Sequence, residues 1–431
     1  MDLKKLSEES ITGLLLVFAS IVALVWANSS WSETYHAFWE TKLTLEVGNF
    51  TLAQSLHKWI NDGLMALFFF SVGLEIKAEL VGGELSSPKK AILPIAAAIG
   101  GMIIPALIFT LLNQGGSTAK GWGIPMATDI AFAIVLVSLF KRNVPTSLIV
   151  FLTALAVVDD LGAILIIAIF YSDSIDVTVL LVALVGFIIL IVGNKLRVRN
   201  PFFYLTIGII GLWYFFLRSG VHATIAGVLI ALAVPARTKI DAQTFGNRAK
   251  KLLNDFMNAC PSGTVLLTKE RMDLMTQARK EIFKAETPLQ RWDSVIQPIN
   301  NFFVLPLFAL SNAGVVLNAE AFEQLLAPLG TGIVLALCLG KPIGILSFTY
   351  LSVKLKIAEL PARVNWYQLL SVAALAGIGF TVSLFITELA FDSEKAVQGA
   401  KLSVLIASTL AATGGTLLLS KAAKTIPEKQ M

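Results

Sequence analysis

The chain has 431 residues, of which 56% are hydrophobic and 15% are charged, and its formal net charge is +5. Soluble proteins carry about 25% charged residues, and the mean hydropathy of this chain is +0.75. The composition therefore excludes a soluble globular protein and indicates an integral membrane protein, in which an excess of Lys and Arg reflects topology rather than nucleic-acid binding.

Apolar runs long enough to cross about 30 Å of hydrocarbon as helices recur from Ile11 to Ser420. We predict an all-α membrane protein with about twelve transmembrane helices, forming a single domain over residues 1–431. The first run, which follows MDLKKLSEES, is expected to be an uncleaved helix rather than a signal peptide. The approximate extents of the predicted spans are 11–27, 60–80, 92–113, 122–140, 148–171, 177–194, 202–219, 221–235, 295–316, 329–350, 366–387 and 398–420.

Lys and Arg residues are distributed unevenly among the segments that connect these spans. Cytoplasmic segments of membrane proteins carry an excess of both residue types. If the N-terminus is cytoplasmic and the number of crossings is even, most basic residues lie inside, so we predict that both termini are cytoplasmic. The basic residues then left on the outer side are Lys42, Lys58, Lys120, Arg218, Lys395 and Lys401.

The segment LTLEVGNFTL, residues 43–52, alternates apolar and polar positions about Gly48 and Asn49. A two-residue turn that begins with glycine predicts a β-hairpin, with an irregular loop as the alternative. The predicted topology places this segment on the outer face. Because a lone hairpin is only marginally stable in water, we expect it to pair with a second copy of the chain in a homodimer.

Six ionisable side chains are expected at membrane depth. A charged residue at the centre of a membrane costs about 2.5–3.5 kcal/mol on insertion scales, so such residues mark either a function or a compensating structural pair. An acidic pair accompanied by a distant Asp and a Lys favours function. The six residues are Asp62 and Glu75 in the second span, Asp129 in the fourth, Asp159 and Asp160 in the fifth, and Lys341 in the tenth.

Asp159 and Asp160 are adjacent in an otherwise apolar helix. Consecutive helical residues point about 100° apart, so the two carboxylates can line adjacent walls of one cavity and serve different roles. Hard cations prefer carboxylate and hydroxyl oxygens, and Thr128 adds a hydroxyl beside Asp129. A site whose oxygens hold either a proton or a small cation is the physical minimum for exchanging one against the other.

Two spans contain a predicted helix break near their centre. The fourth span includes GWGIPMATDIAF, and the eleventh includes ALAGIGFTVSLF, with Gly377, Gly379 and Thr381. Breaks at corresponding positions of two halves indicate an inverted-repeat transporter, here with spans 3–5 and 10–12 as repeats. Asp129 and Lys341 are expected to balance the charges of the opposed helix ends. Glycines that serve only helix packing are the alternative.

Residues 238–290 form a polar insertion between the eighth and ninth spans. Charged stretches such as RMDLMTQARKEIFKAE predict one or two amphipathic helices on the cytoplasmic face.

The two cysteines, Cys260 and Cys338, fit no metal or redox spacing. The sequence thus predicts no cofactor, no nucleic-acid partner and no enzymatic activity.

Several of these stretches, in the same order along the chain, resemble the NhaA-type sodium/proton antiporter family. The resemblance implies a fold of twelve helices in which two interrupted helices cross. It implies electrogenic export of Na+ or Li+ from a bacterial cell across the inner membrane, with more protons entering than cations leaving. The stretches that carry it are NDGLMALFFFSVGLEIKAEL, MATDIAFAIVLVSLF, LTALAVVDDLGAILIIAIFY, SGVHATIAGVLIALAVP, VLPLFALSNAGV, GKPIGI and AGIGFTVSLFI.

The resemblance also assigns roles to individual residues. It implies that Asp160 is the central carboxylate for ion and proton, that Asp159 pairs with Lys341, and that Thr128 and Asp129 belong to an interrupted helix at the cation site. Ser294 and Gln297 stand where some members carry histidines, so the pH at which activity begins is in doubt. The residues matched to the pH response are Glu75, Glu79, His222 and Asp293.

Other classes remain as alternatives to an exchanger. A sodium-coupled symporter could use the same carboxylates. A cation channel would need charge rings or a carbonyl filter, and an intramembrane aspartyl protease would need its acids on two facing helices. The expected partners are Na+, Li+, H+ and membrane lipid, and the sequence leaves the preference among Na+, Li+ and K+ open.

Overall fold

A computed structural model describes residues 8–47, 50–140, 144–172, 175–259 and 267–424, and these residues are mostly helical. Within them, eight helices are long and apolar enough to cross a membrane, or up to ten if each of two bent helix pairs counts as one span. The membrane class that the composition indicates is therefore confirmed. Two of the predicted spans, 122–140 and 366–387, are each divided into two shorter helical segments.

The first half of the described chain contains nine helices. A 3-10 helix, Ser117–Met126, precedes the fifth of them. The helices are α1 (Glu8–Ala27), α2 (Ser32–Glu40), α3 (56–82), α4 (Pro88–Leu112), α5 (Ile130–Ser138), α6 (Thr146–Phe170), α7 (Val177–Lys195), α8 (Pro201–Ser219) and α9 (Thr224–Ala233).

The second half begins with two helices in the polar insertion and then returns to long apolar helices. The helices are α10 (Ala242–Asn258), α11 (Lys269–Ala285), α12 (Pro288–Asn312), α13 (Ala319–Leu326), α14 (Pro328–Lys354), α15 (Trp366–Leu375), α16 (Phe380–Ala390) and α17 (Glu394–Lys424).

The eighth predicted span shows where the boundaries differ from the expectation. Residues 221–235 form only a ten-residue helix, α9. Gly220 has a φ of +81° and ends α8 in the left-handed region, which glycine adopts without steric cost. The ninth span begins earlier than predicted, at Pro288, because Thr287 and Gln290 form a capping box there.

The two predicted helix breaks lie against each other. Residues 127–129 separate the 3-10 helix from α5, and residues 376–379 separate α15 from α16. The backbone N–H of Asp129 donates to the carbonyl of Ile378 at 2.6 Å. Gly377, in the second break, also packs closely on α14, because a Cβ atom there would lie 2.5 Å from the carbonyl oxygen of Leu337. Backbone groups left unpaired by one break are thus satisfied by the other.

Close packing of α4 against α14 positions the tenth-span lysine. A Cβ atom on Gly100 would lie 2.2 Å from the carbonyl oxygen of Gly344, and a Cβ atom on Gly344 would lie 2.0 Å from that of Gly100. The two backbones therefore touch at this point, as small residues allow in membrane helices. Lys341, one turn before Gly344, is held at 0% exposure in the interior.

The predicted hairpin is present as a two-stranded antiparallel sheet. Its strands are Lys42–Val47 and Phe50–Ser55, and Leu45 pairs with Leu52. The turn residues Gly48 and Asn49 lie outside the described residues.

The polar insertion contains two helices, α10 and α11, that pack on each other. Arg248 on α10 and Glu281 on α11 form an ion pair with a 2.9 Å separation between Nη1 and Oε2. Neither helix has a buried residue. The segment therefore contributes nothing to the apolar core that surrounds the intramembrane acids.

Candidate ion-binding site

Asp159 lies on α6 and forms a fully buried ion pair with Lys341. The Oδ2 atom of Asp159 is 2.5 Å from the Nζ atom of Lys341, and both side chains are 0% exposed. The Thr128 hydroxyl lies 2.6 Å from the same oxygen. Lys341 also donates to the carbonyl of Met126, at the end of the 3-10 helix. The lysine charge is thus countered by a carboxylate and by the negative end of a helix.

Asp129 joins the two helix breaks. Its Oδ1 atom accepts the Phe132 N–H at 3.2 Å, which caps the start of α5. Its Oδ2 atom accepts both the N–H of Thr381 at 3.0 Å and the Thr381 hydroxyl at 2.6 Å, at the start of α16. The carboxylate therefore faces the positive ends of two helices, which is the balancing position expected for it.

Asp160 has different surroundings from its neighbour. It lines a cavity of about 140 Å³ together with Thr128, Asp129 and Thr381. Among the residues that the structure describes, no hydrogen bond or ion pair holds the Asp160 carboxylate. The two consecutive acids on α6 therefore have different environments: Asp159 is bound in an ion pair, and Asp160 faces the cavity. Separate roles for the two acids stay a prediction.

The cavity extends from the helix breaks toward the N-terminal parts of α1 and α12. Polar side chains from these two helices line it, together with Glu75 from α3. Sequence reasoning missed most of them, although consecutive asparagines in an apolar span are a visible signal. The missed lining residues are Thr12, Asn300 and Asn301, and Gln297 was noted only for lacking the histidine of other members.

Three phenylalanines pack against each other on helices that line the cavity. Phe69 and Phe385 have ring centroids 5.6 Å apart, and Phe308 and Phe385 have centroids 6.5 Å apart. The three rings therefore join α3, α12 and α16.

The four residues matched to a pH response are only partly brought together. Glu75 lines the cavity, and it lies within electrostatic range of Glu79 and Asp293. Glu79 accepts the N–H of Glu84 at 2.7 Å beyond the end of α3. His222 lies apart from them, in the turn before α9, where its Nε2 atom is 2.5 Å from the carbonyl oxygen of Tyr171.

The donor atoms suit a transported cation better than a resident one. Within the described ranges, no group of three or more His, Cys, Asp or Glu side chains is arranged to hold a metal ion. Near the helix breaks, the cavity is lined by oxygens of Asp160, Asp129, Thr128 and Thr381, and Glu75 and the amide side chains add further oxygens. Carboxylate and hydroxyl oxygens are ligands for hard cations.

Comparison with known proteins gives consistent matches. Residues 4–419 match the model of the family described as Na+/H+ antiporter 1. The chain is 47% identical over 412 residues to the Na(+)/H(+) antiporter NhaA of Oleidesulfovibrio alaskensis, covering 95% of this chain and 91% of that protein. It is 46% identical over 413 residues to the Na(+)/H(+) antiporter NhaA 2 of Syntrophotalea carbinolica, covering 95% and 94%. The solved structure of the sodium proton antiporter MjNhaP1 from Methanocaldococcus jannaschii at pH 8 aligns over 96% of this chain and 92% of that chain, with 13% identity and a TM-score of 0.48.

Proposed function

This chain belongs to the Na+/H+ antiporter 1 family and exchanges Na+ for H+, and we propose that Na+ and protons compete for Asp160 and Asp159 during alternating access. The observation that carries the proposal is the difference between the two acids. Asp160 faces the cavity, whereas Asp159 is bound by Lys341. A carboxylate that faces water can bind a cation directly, and an adjacent ion pair can open to add a second ligand.

The proposed cycle begins with Na+ entering the cavity from the cytoplasm. Na+ binds Asp160, displaces its proton, and draws Asp159 away from Lys341. The helices then rock so that the site faces outward, where external protons reload the carboxylates and Lys341 regains its partner. Because both ions use the same oxygens, their coupling needs no separate device.

We propose that the exchange is electrogenic, with more protons entering than cations leaving. Each net charge that crosses the membrane then gains about 2.3 kcal/mol per 100 mV of membrane potential. Li+ is expected to replace Na+ because it binds the same hard oxygens. The curated relatives described above carry antiporter names, so the sodium-coupled symporter kept as an alternative has no support from them. We further propose that the chain catalyses no chemical reaction.

Twelve crossings remain our proposal for the architecture. Eight helices qualify as spans by length and composition. Four more would be α1, α3, α9 and the broken pair of α15 and α16. We propose that the breaks cross within inverted repeats at spans 3–5 and 10–12, and that both termini lie in the cytoplasm of a bacterial cell, under its inner membrane. The hairpin at 43–52 would then lie outside, where it could join two copies of the chain, and the insertion at 238–290 would lie inside.

For the pH response, we propose that Glu75, Glu79 and Asp293 act together near the cytoplasmic opening. Their mutual proximity supports this role. His222 would act separately, through the turn that contacts the end of α6.

The proposal is tested by cation-induced proton flux in everted membrane vesicles, with a dye that reports the pH gradient. Addition of Na+ or Li+ should collapse the gradient, and an imposed membrane potential should change the rate. Competition for one set of oxygens predicts that the apparent KM for Na+ rises up to tenfold for each unit by which pH falls, at constant maximal rate. A maximal rate that changes with pH at constant KM would contradict the shared site.

A further inference from the structure

A second polar cluster lies on three of the helices that line the cavity, toward the ends of those helices that do not line it. Glu388 on α16 forms an ion pair with Lys401 on α17. The Nε2 atom of His57, at the start of α3, lies 3.9 Å from the same Oε1 atom of Glu388. His57 Nε2 also lies 3.2 Å from Oδ1 of Asn312, at the end of α12. Asn312 donates in turn to Asn61 Oδ1 at 3.0 Å. Four helices therefore meet through one connected set of side chains.

This cluster is partly buried. Asn312 is 0% exposed, Lys401 is 6% exposed and Asn61 is 8% exposed, whereas the side chains of Glu388 and His57 are 21% and 26% exposed. Burial of charged groups costs several kcal/mol per ion unless each group is paired, so such clusters hold only while their partners stay together. Access of water would lower that cost and allow the partners to separate.

The cluster joins the two walls of the ion cavity. One wall is formed by α6 and α16, which carry Asp160 and Thr381, and the other by α3 and α12, which carry Glu75 and Asn300. At the outer end, Glu388 extends from α16, while His57 and Asn312 extend from α3 and α12. Separation of these walls at the outer end must therefore separate Glu388 from His57.

We propose that Glu388, Lys401, His57 and Asn312 form a latch that holds the outer side of the transporter closed while the cavity is open to the cytoplasm. This inference rests on the alternating access proposed above. The ion pair with Lys401 fixes the Glu388 carboxylate toward α3 and α12, and the side-chain amides of Asn61 and Asn312 complete the contact. Opening hydrates the charged groups, which makes the latch reversible in every transport cycle.

The latch is tested by labelling from outside. Ser311 is suitable as a reporter, because it is 5% exposed, lies beside Asn312, and its hydroxyl has no hydrogen-bond partner among the described residues. Ser311→Cys is introduced into a Cys260→Ser, Cys338→Ser background. A membrane-impermeant methanethiosulfonate reagent is then applied to right-side-out vesicles. Labelling should be slow with the latch intact and at least fivefold faster with Glu388→Gln or Lys401→Met.

Two controls separate a latch from a general loss of structure. The exchange of charges in Glu388→Lys with Lys401→Glu should return labelling toward the slow rate. Glu281→Gln, which removes an exposed ion pair between α10 and α11, should leave the rate unchanged. Slow labelling in both single variants, or equally fast labelling in the exchanged pair, would overturn the proposal.

A second experiment cross-links the latch in its closed state. Because the cross-link is reversible, its effect can be told apart from poor folding of a variant. His57→Cys and Glu388→Cys, joined by a cleavable bifunctional thiol reagent, should reduce exchange below one tenth, and cleavage should restore it. Full exchange with the residues joined would overturn the latch. Labelling is repeated in Asp160→Asn, because it does not require transport. A failure of the assigned ion site then appears as exchange by that variant, and a failure of the latch appears in labelling alone.

Discussion

The carboxylate site at the helix breaks and the proposed latch each contain a lysine paired with an acid, but they differ in whether an acid is left without a partner. Asp159 and Lys341 are paired, while Asp160 faces a cavity with no partner among the described residues. At the outer end, the Glu388 carboxylate is shared by Lys401 and His57. We therefore expect the acid that faces the cavity to exchange ions, and the acid held by Lys401 and His57 to keep a path closed.

The largest effect is expected from the open acid. Asp160→Asn removes the charge at the site where we propose that proton and cation compete, so Na+-dependent proton flux in everted vesicles should fall by at least a hundredfold. Asp255→Asn, on the exposed face of α10, is the control and should retain full flux. Normal flux in Asp160→Asn would place the exchange at other oxygens.

Removal of the paired lysine should act chiefly on stability. Lys341→Met leaves the buried Asp159 carboxylate without its cation, and loss of one partner of a buried pair costs about 3–5 kcal/mol. We expect a clear decrease in the unfolding temperature, measured by fluorescence-detected size exclusion of heated samples. Asp159→Asn combined with Lys341→Met should recover most of that decrease. A double variant as unstable as Lys341→Met alone would show that the pair is not the cause.

A smaller effect is expected at the junction of the two breaks. Thr381→Val removes the hydroxyl donor to Asp129 but keeps the backbone N–H donor, and a hydrogen bond to a charged group contributes about 1.5–3 kcal/mol. The apparent KM for Na+ should rise severalfold, because Asp129 is less well positioned. Thr387→Val is the matched control, since its hydroxyl bonds only to the carbonyl of Ser383 one turn earlier. Equal changes in the two variants would rule out a specific role for Thr381.

Much of the inner site could be predicted because its residues break local rules. Asp159 and Asp160 interrupt an apolar helix, and the glycines near Gly377 interrupt another, so the pattern of the chain itself marks them. The contact between Asp129 and Thr381 follows from two broken helices whose ends need partners. Local chemistry was sufficient in these cases.

The outer latch was not predictable in the same way. His57 carries no signal in the sequence, since a single histidine beside an apolar span has no distinctive spacing. Lys401 is one of the basic residues expected on the outer side, and Glu388 falls just beyond a predicted span, yet the structure pairs the two side chains. Their contact with His57 and Asn312 depends on how distant helices pack. No local pattern encodes that packing.

A solvent-exposed carboxylate, Asp241, serves as the reference for the acids of both regions. The smallest effect is expected from its substitution. Asp241 caps α10, with Oδ1 accepting the Thr244 N–H at 2.6 Å. This hydrogen bond holds the pKa of Asp241 below its ordinary value. The stabilisation is therefore present above the ordinary pKa of Asp, about 3.9, and is lost as pH falls through the lower pKa of the folded protein.

Hydrogen exchange of the first-turn amides of α10 measures this contribution. At neutral pH, Asp241→Ala should exchange a few times faster than the parent, because the amide loses its acceptor. Asp241→Asn keeps a neutral acceptor oxygen, so its rate should lie between those of the parent and Asp241→Ala. When the parent is acidified below the lower pKa of Asp241, its protection should fall to the level of Asp241→Asn at the same pH. Protection that stays above that level in acid would mean that the charge of the cap is not what stabilises the helix, and would remove this residue as the solvated reference for Asp160 and Glu388.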